Sequence, residues 1–185
     1  AAGGGHAAPP QGRELSGATL GFIGYGRIAR RMQELASAFG MQTVAHDPLI
    51  TQADLPLQSL DTVLAASDFV VCLATSTAQT RHLMNAQRLA AMKNGAALIN
   101  VARGPVVDTD ALIVELNSGR ITAGLDVTDP EPLPSDHPLW KARNVIITPH
   151  VGGDSEAFTP RGRKLVEEQL ARYASGQSLL HIVAQ

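Results

Sequence analysis

Six short apolar runs, at residues 18–23, 41–46, 69–73, 96–101, 121–127 and 144–148, alternate along the chain with segments of helical periodicity. Several of the runs are continuous rather than alternating; Phe69-Val70-Val71-Cys72-Leu73 contains no polar side chain except a thiol. A strand that is apolar on both faces is buried on both faces, the condition of a parallel sheet covered above and below. Between the runs, residues 27–39 set Ile28, Met32, Leu35 and Phe39 at helical spacing and meet Gly40 as a stop. Segments 60–66, 86–92 and 109–118 read as further helices, the last stopped by Gly119, and 155–175 reads as a long closing helix ending at Gly176. Six strands alternating with helices predict an α/β fold, a doubly wound parallel sheet with helices on both faces. Residues 1–12 are Ala, Gly, Pro and polar and predict a flexible linker, leaving 13–185 as one domain.

One loop narrows this to a ligand. Gly24-Tyr25-Gly26-Arg27-Ile28-Ala29 reads G-x-G-x-x-A, directly after the first run and directly before the first helix. Gly24 permits the tight turn, Gly26 has no side chain to block a pyrophosphate, and Ala29 lets the helix pack close to the strand. The helix N-terminus then offers free N–H groups and a partial positive charge to phosphates. Asp47 ends the second run, 21 residues after Gly26, where a carboxylate accepts hydrogen bonds from ribose hydroxyls. The rival reading of Asp47 is the opening of an Asp-Pro turn. Strand, loop, helix and acid together point to a Rossmann-like dinucleotide site, and the negative charge of Asp47 favours NAD over NADP.

Three further polar residues follow the carboxyl ends of runs: Arg103 after the fourth, Glu131 in the loop after the fifth, and His150 after the sixth. Doubly wound sheets place their ligands there. A single Arg or Glu is ordinarily a solvated surface residue; three at three strand ends form a candidate constellation.

The wording of these segments resembles the D-isomer-specific 2-hydroxyacid dehydrogenase family. Four stretches carry the resemblance: residues 24–29 with Asp47, 92–108 (MKNGAALINVARGPVVD), 119–132 (GRITAGLDVTDPEP) and 144–153 (NVIITPHVGG). It runs from about Leu15 to Val183. The resemblance implies that Arg103 binds the substrate carboxylate and that His150 is the general acid for keto-acid reduction and the general base for hydroxy-acid oxidation. It implies that Glu131 pairs with His150 and orients its ring, and that Asp126 meets the nicotinamide carboxamide. Arg27 and Ile28 would contact the pyrophosphate, with Thr75, Thr80, Val101 and Ala102 lining the cofactor groove. Asp126 as a turn cap, and Thr75 and Thr80 as plain loop hydroxyls, are the competing readings. Two departures stand out: the third glycine of the fingerprint is Ala29, and 73–77 lacks a proline that many relatives carry. Family members also have an N-terminal segment of roughly a hundred residues supplying most of a substrate domain, the size of a small domain. This chain is accordingly expected to be the NAD domain alone, poorly active by itself, and to pair as a homodimer through that domain. The implied activity is hydride transfer between NAD(H) and a D-2-hydroxyacid or its 2-keto acid. The alternative is an NAD-sensing, corepressor-like binding protein built on the same fold.

Composition sets the outer bounds. Hydrophobic residues make up 44% of the chain, enough for a real core. A net charge of −2 gives no basic surplus for nucleic acid or an anionic membrane. No apolar stretch approaches the ~18 residues of a membrane span. No signal peptide is visible, and the single Cys72 allows no internal disulfide, so a cytoplasmic setting is expected. Cys72 reads as a buried small side chain, and no metal site is expected. His6 reads as neither tag nor ligand; His46, His82, His137 and His181 read as surface or packing residues. Trp140 has two readings, a cover for the active site or a subunit contact.

Overall fold

The computed structural model describes residues 12–180 and 182. Residues 1–11, which hold most of the expected linker and His6, and also His181, lie outside the described residues. The chain divides into two compact units between Pro149 and His150.

The first unit contains all six strands: β1 (Thr19–Ile23), β2 (Gln42–His46), β3 (Phe69–Cys72), β4 (Ala97–Asn100), β5 (Thr122–Leu125) and β6 (Val145–Ile147). They form one parallel sheet in the order β2-β1-β3-β4-β5-β6. The strands are one to three residues shorter than the apolar runs that announce them. β4 stops at Asn100, where the paired ladder Cys72, Asn100, Leu125 ends, and Val101 lies beyond it. On the β2 edge the ladder continues only as a single bridge, Ala45 to Leu57.

Four helices connect the strands: α1 (Arg27–Ala38), α2 (Leu60–Ala66), α3 (Ala86–Ala91) and α4 (Thr109–Asn117). Right-handed crossovers decide their faces. From β1 the chain steps outward to β2 and then back past β1 to β3, so α1 lands on one face and α2, α3 and α4 on the other. The period of two along each strand feeds both cores. Phe22 and Val71 join Ala29 and Ala36 of α1 in one cluster, with Tyr25 and Ala45. Their strand neighbours Ile23 and Val70 join Leu64, Leu89, Leu112 and Leu116 of the other three helices. Full burial of one such Leu or Phe stabilises by about 1.5–3 kcal/mol.

Two 3-10 turns, Gly104–Val106 and Pro138–Lys141, have no counterpart in the sequence periodicity. The second is anchored by buried Leu139. Trp140 next to it is half exposed and donates its indole N–H to the Pro134 carbonyl at 2.8 Å, so its polar edge is spent within its own loop.

The second unit contains α5 (Phe158–Ala174), which starts three residues later than its pattern and has no buried side chain. Arg172 at its end donates to the Ser178 carbonyl at 2.7 Å. Among the described residues, no helix is long and apolar enough to cross a membrane.

Candidate functional site

The order β2-β1-β3 makes the carboxyl ends of β1 and β3 a topological switch point, since the chain leaves these neighbours on opposite faces of the sheet. A crevice opens there in any doubly wound fold. In this chain a cleft of about 280 Å³ lies between Ile28 at the start of α1, residues 73–76 after β3 and residues 101–103 after β4.

The loop between β1 and α1 leads into Ile28, the residue of the G-x-G-x-x-A segment that lines this cleft. Gly24 has φ +92°, and a Cβ there would stand 2.8 Å from the backbone nitrogen of Ala74, so position and conformation both require glycine. Its N–H donates to the His46 carbonyl at 2.8 Å, joining the loop to the end of β2. Gly26 has the opposite surroundings. A Cβ on it would meet nothing within 4 Å, so the space above it is open. Gly26 is also the N-cap of α1, with no side-chain cap and no acid in the first turn. By contrast Ser59, Asn85 and Asp108 cap α2, α3 and α4 with side-chain oxygens. The first-turn N–H groups of α1 are therefore left to an external acceptor, which suits a pyrophosphate.

Tyr25, which the motif treats as a free position, holds the loop down. Its ring is fully buried, its hydroxyl donates to Gln33 Oε1, and the Arg30 guanidinium sits 4.7 Å from the ring centroid. Burial pushes the phenol up from its ordinary pKa, with Arg30 opposing. Its backbone N–H donates to Asp47 Oδ2 at 2.8 Å, while Leu49 N–H donates to Asp47 Oδ1 at 2.9 Å. The two readings of Asp47 are thus compatible. The carboxylate closes the turn and is fixed at the end of β2, with acceptor capacity left on both oxygens. These features fit a dinucleotide with a free ribose diol.

Of the expected site residues, Ile28, Thr75, Val101, Ala102 and Arg103 line the cleft, and Ser76, not singled out in the sequence, lines it with them. Arg27 is the exposed first residue of α1. Thr80 lies outside the lining, its hydroxyl donating to the Thr75 carbonyl at 2.7 Å and so tying down the loop that carries Thr75. Asp126 follows β5 and accepts from the Thr148 hydroxyl at 2.5 Å, a partner the sequence reading missed. Glu131 is exposed in a loop whose neighbour Asp129 faces Arg81 at 3.8 Å and accepts the Thr109 hydroxyl on its carbonyl at 3.0 Å. His150 opens the second unit and has φ +56°, a left-handed backbone that costs a non-glycine residue energy and is enriched at functional sites.

Cys72, at the end of β3, is buried, and burial pushes its thiol up to about 12, leaving it protonated and unsuited to nucleophilic chemistry. Among the described residues no group of three or more His, Cys, Asp or Glu side chains is gathered as a metal would require.

Comparison with known proteins places the chain. Residues 3–152 match the profile described as D-isomer specific 2-hydroxyacid dehydrogenase, NAD binding domain. The chain is 42% identical over 165 residues to the hydroxypyruvate reductase of Thermotoga maritima, a match covering 85% of this chain and 54% of that one. It is 38% identical over 173 residues to the glyoxylate reductase of Thermofilum pendens, covering 90% of this chain and 51% of the relative. The crystal structure of the TT0316 protein from Thermus thermophilus superposes with a TM-score of 0.84 at 40% identity, covering 97% of this chain and 58% of that one. The chain thus spans about half the length of these relatives.

Proposed function

The chain belongs to the D-isomer specific 2-hydroxyacid dehydrogenase family through its NAD-binding domain, and from that premise we propose that it serves the reversible reduction of a small 2-keto acid to the D-2-hydroxyacid. The observation that carries this reading is that Ile28 of the G-x-G-x-x-A segment and Arg103 line one cleft at the switch point. When bound, NAD(H) supplies or takes the hydride. The residues of the chain do the rest. The uncapped N-terminus of α1 takes the pyrophosphate above Gly26, and Asp47 takes the adenosine ribose hydroxyls. Arg27 adds positive charge at that helix end, and Asp126, held by Thr148, takes the carboxamide of the nicotinamide. Arg103 pairs with the substrate carboxylate through its planar fork. His150 donates a proton to the keto oxygen in reduction and recovers it from the hydroxyl in oxidation. Glu131 is assigned to keeping that imidazole in its working orientation. The same reading carries a homodimer formed through the sheet domain and a cytoplasmic setting.

Hydroxypyruvate and glyoxylate, named by the relatives, are the substrates to test. In steady-state assays with NADH on the complete gene product that carries this chain, Arg103→Ala should raise the KM for the keto acid about a hundredfold through loss of a charge-assisted bidentate pair. His150→Asn should lower kcat by about 10²–10⁴ through loss of proton transfer. NADH-dependent reduction that neither change affects would overturn the assignment.

A further inference from the structure

Among the described residues, three polar side chains are buried: Ser67, Asn100 and Thr128. A buried amide costs about 1–3 kcal/mol unless its donors and acceptor are bonded, so each such group has a reason to be there. Ser67 satisfies the end of α2 by donating to the Val63 carbonyl at 2.6 Å. Asn100 and Thr128 lie on either side of the Arg103 turn.

Asn100 is the last residue of β4 and is 1% exposed. Its backbone carbonyl belongs to the sheet, accepting from Asp126 N–H at 3.0 Å. Its side chain belongs to the turn that follows. Oδ1 accepts the N–H of Ala102 at 3.1 Å, and Nδ2 donates to the carbonyl of Arg103 at 3.0 Å. One amide thus holds the peptide group before Ala102 and the one after Arg103, bracketing the backbone from which the Arg103 side chain departs. The other side of the turn is closed by contact. A Cβ on Gly104 would stand 1.8 Å from the Thr128 carbonyl oxygen, so Gly104 lies directly against the loop after β5, and Thr128 is itself tied to the Pro130 carbonyl at 2.9 Å. Between these two clamps Arg103 has little backbone freedom. Its Nη1 donates to the Ala102 carbonyl at 2.6 Å, which holds the guanidinium against the peptide lying between the two that Asn100 bonds.

We propose that Asn100 is a positioning residue for Arg103: it sets the backbone from which the guanidinium meets the substrate carboxylate, and it acts through Arg103 rather than on the substrate. The inference rests on the reading of Arg103 given above. Its chemistry is directional, because the turn needs an acceptor toward Ala102 and a donor toward Arg103. Asn offers both. Asp keeps the first and sets a second oxygen against a carbonyl.

The experiment is a double-mutant cycle on the complete gene product, with KM and kcat for glyoxylate, the Kd for NADH, and thermal unfolding measured for each protein. Asn100→Asp should raise KM tenfold or more while the NADH Kd stays within threefold. Arg103→Ala should raise KM by itself, and in that background Asn100→Asp should change KM less than twofold, since its route to the substrate is gone. A purely structural role would lower the unfolding temperature and weaken NADH binding alongside kcat, with the same KM effect in both backgrounds; that result would overturn the inference. So would a KM for Asn100→Asp within twofold of wild type while Arg103→Ala raises it. If Arg103→Ala leaves KM unmoved, the reading of Arg103 fails instead. Asn100→Ser, too short to reach the Arg103 carbonyl, is read in the same way if the Asp variant does not fold.

Discussion

In the proposed function, Asp47 is the side chain that sets the choice between NAD and NADP. Its two oxygens already take the N–H groups of Tyr25 and Leu49, so the carboxylate is preorganised and needs no reordering when ribose hydroxyls arrive. A 2′-phosphate brought to the same place would meet a fixed like charge. We expect NAD to bind about tenfold or more tighter than NADP, a difference of at least ~1.4 kcal/mol. Asp47→Asn removes the charge and leaves one acceptor for the two N–H groups of Tyr25 and Leu49, so the ratio should fall toward one at a stability cost of about 1–2 kcal/mol. Calorimetric titration of both dinucleotides checks this, and tighter NADP binding by the unaltered chain would count against it. The placement of Asp47 at the end of β2, against the loop before α1, was legible in the sequence because its spacing from Gly26 is a property of the pattern. Tyr25, Asn100 and Thr148 were not. Their roles consist of hydrogen bonds to backbone or to another loop, and no periodicity records those.

The strands and helices were legible for a different reason. Burial on both faces writes a strand as an unbroken apolar run, and a helix shows in its apolar spacing and in a glycine stop such as Gly40 or Gly119. The 3-10 turns were not legible, because three or four residues are too short to show a period. At the opposite end of the sheet from the cleft, the entry of β1 is tied to β3 by a charge cluster. Asp68 Oδ2 accepts Thr19 N–H at 2.9 Å, and Oδ1 faces Lys93 at 3.3 Å and Arg13 at 3.4 Å. The Thr19 N–H, then Lys93 and Arg13, hold the carboxyl below its ordinary pKa against the opposing effect of burial. A carboxylate whose folded pKa is depressed stabilises the fold above its unfolded pKa, and that contribution is lost as pH falls through the folded value. Asp68→Asn should therefore cost about 1–2 kcal/mol near neutral pH, where a charged acceptor is lost. The gap between variant and parent should begin to close only as pH drops below the ordinary carboxylate value of about 4, and should vanish once pH lies below the depressed folded pKa of Asp68. Urea unfolding at a series of pH values measures both, and a gap independent of pH would show that the charge of Asp68 contributes nothing.

At the scale of the molecule, function follows from strand order. Periodicity gives the number of strands, but only the folded chain shows that β3 crosses back beside β1 and so opens the crevice between them. The loops that meet there carry Gly26, Thr75 and Arg103, which explains why residues distant in sequence read as candidates when taken at the ends of runs. The central claim is that the first unit binds a dinucleotide with its pyrophosphate over Gly26. Gly26 has φ −88°, a conformation open to any residue, and the space beyond it is free of protein atoms within 4 Å of a Cβ. Gly26→Val should thus fold with a stability change of about 1 kcal/mol or less, the scale of a poorer N-cap, while its side chain fills the ground the pyrophosphate needs. The decisive measurement is the calorimetric Kd of NAD for the 185-residue chain and for Gly26→Val, with thermal unfolding alongside. The account predicts one NAD per chain for the parent and affinity at least tenfold weaker for the variant at a nearly unchanged unfolding temperature; equal affinity in the two proteins would contradict it.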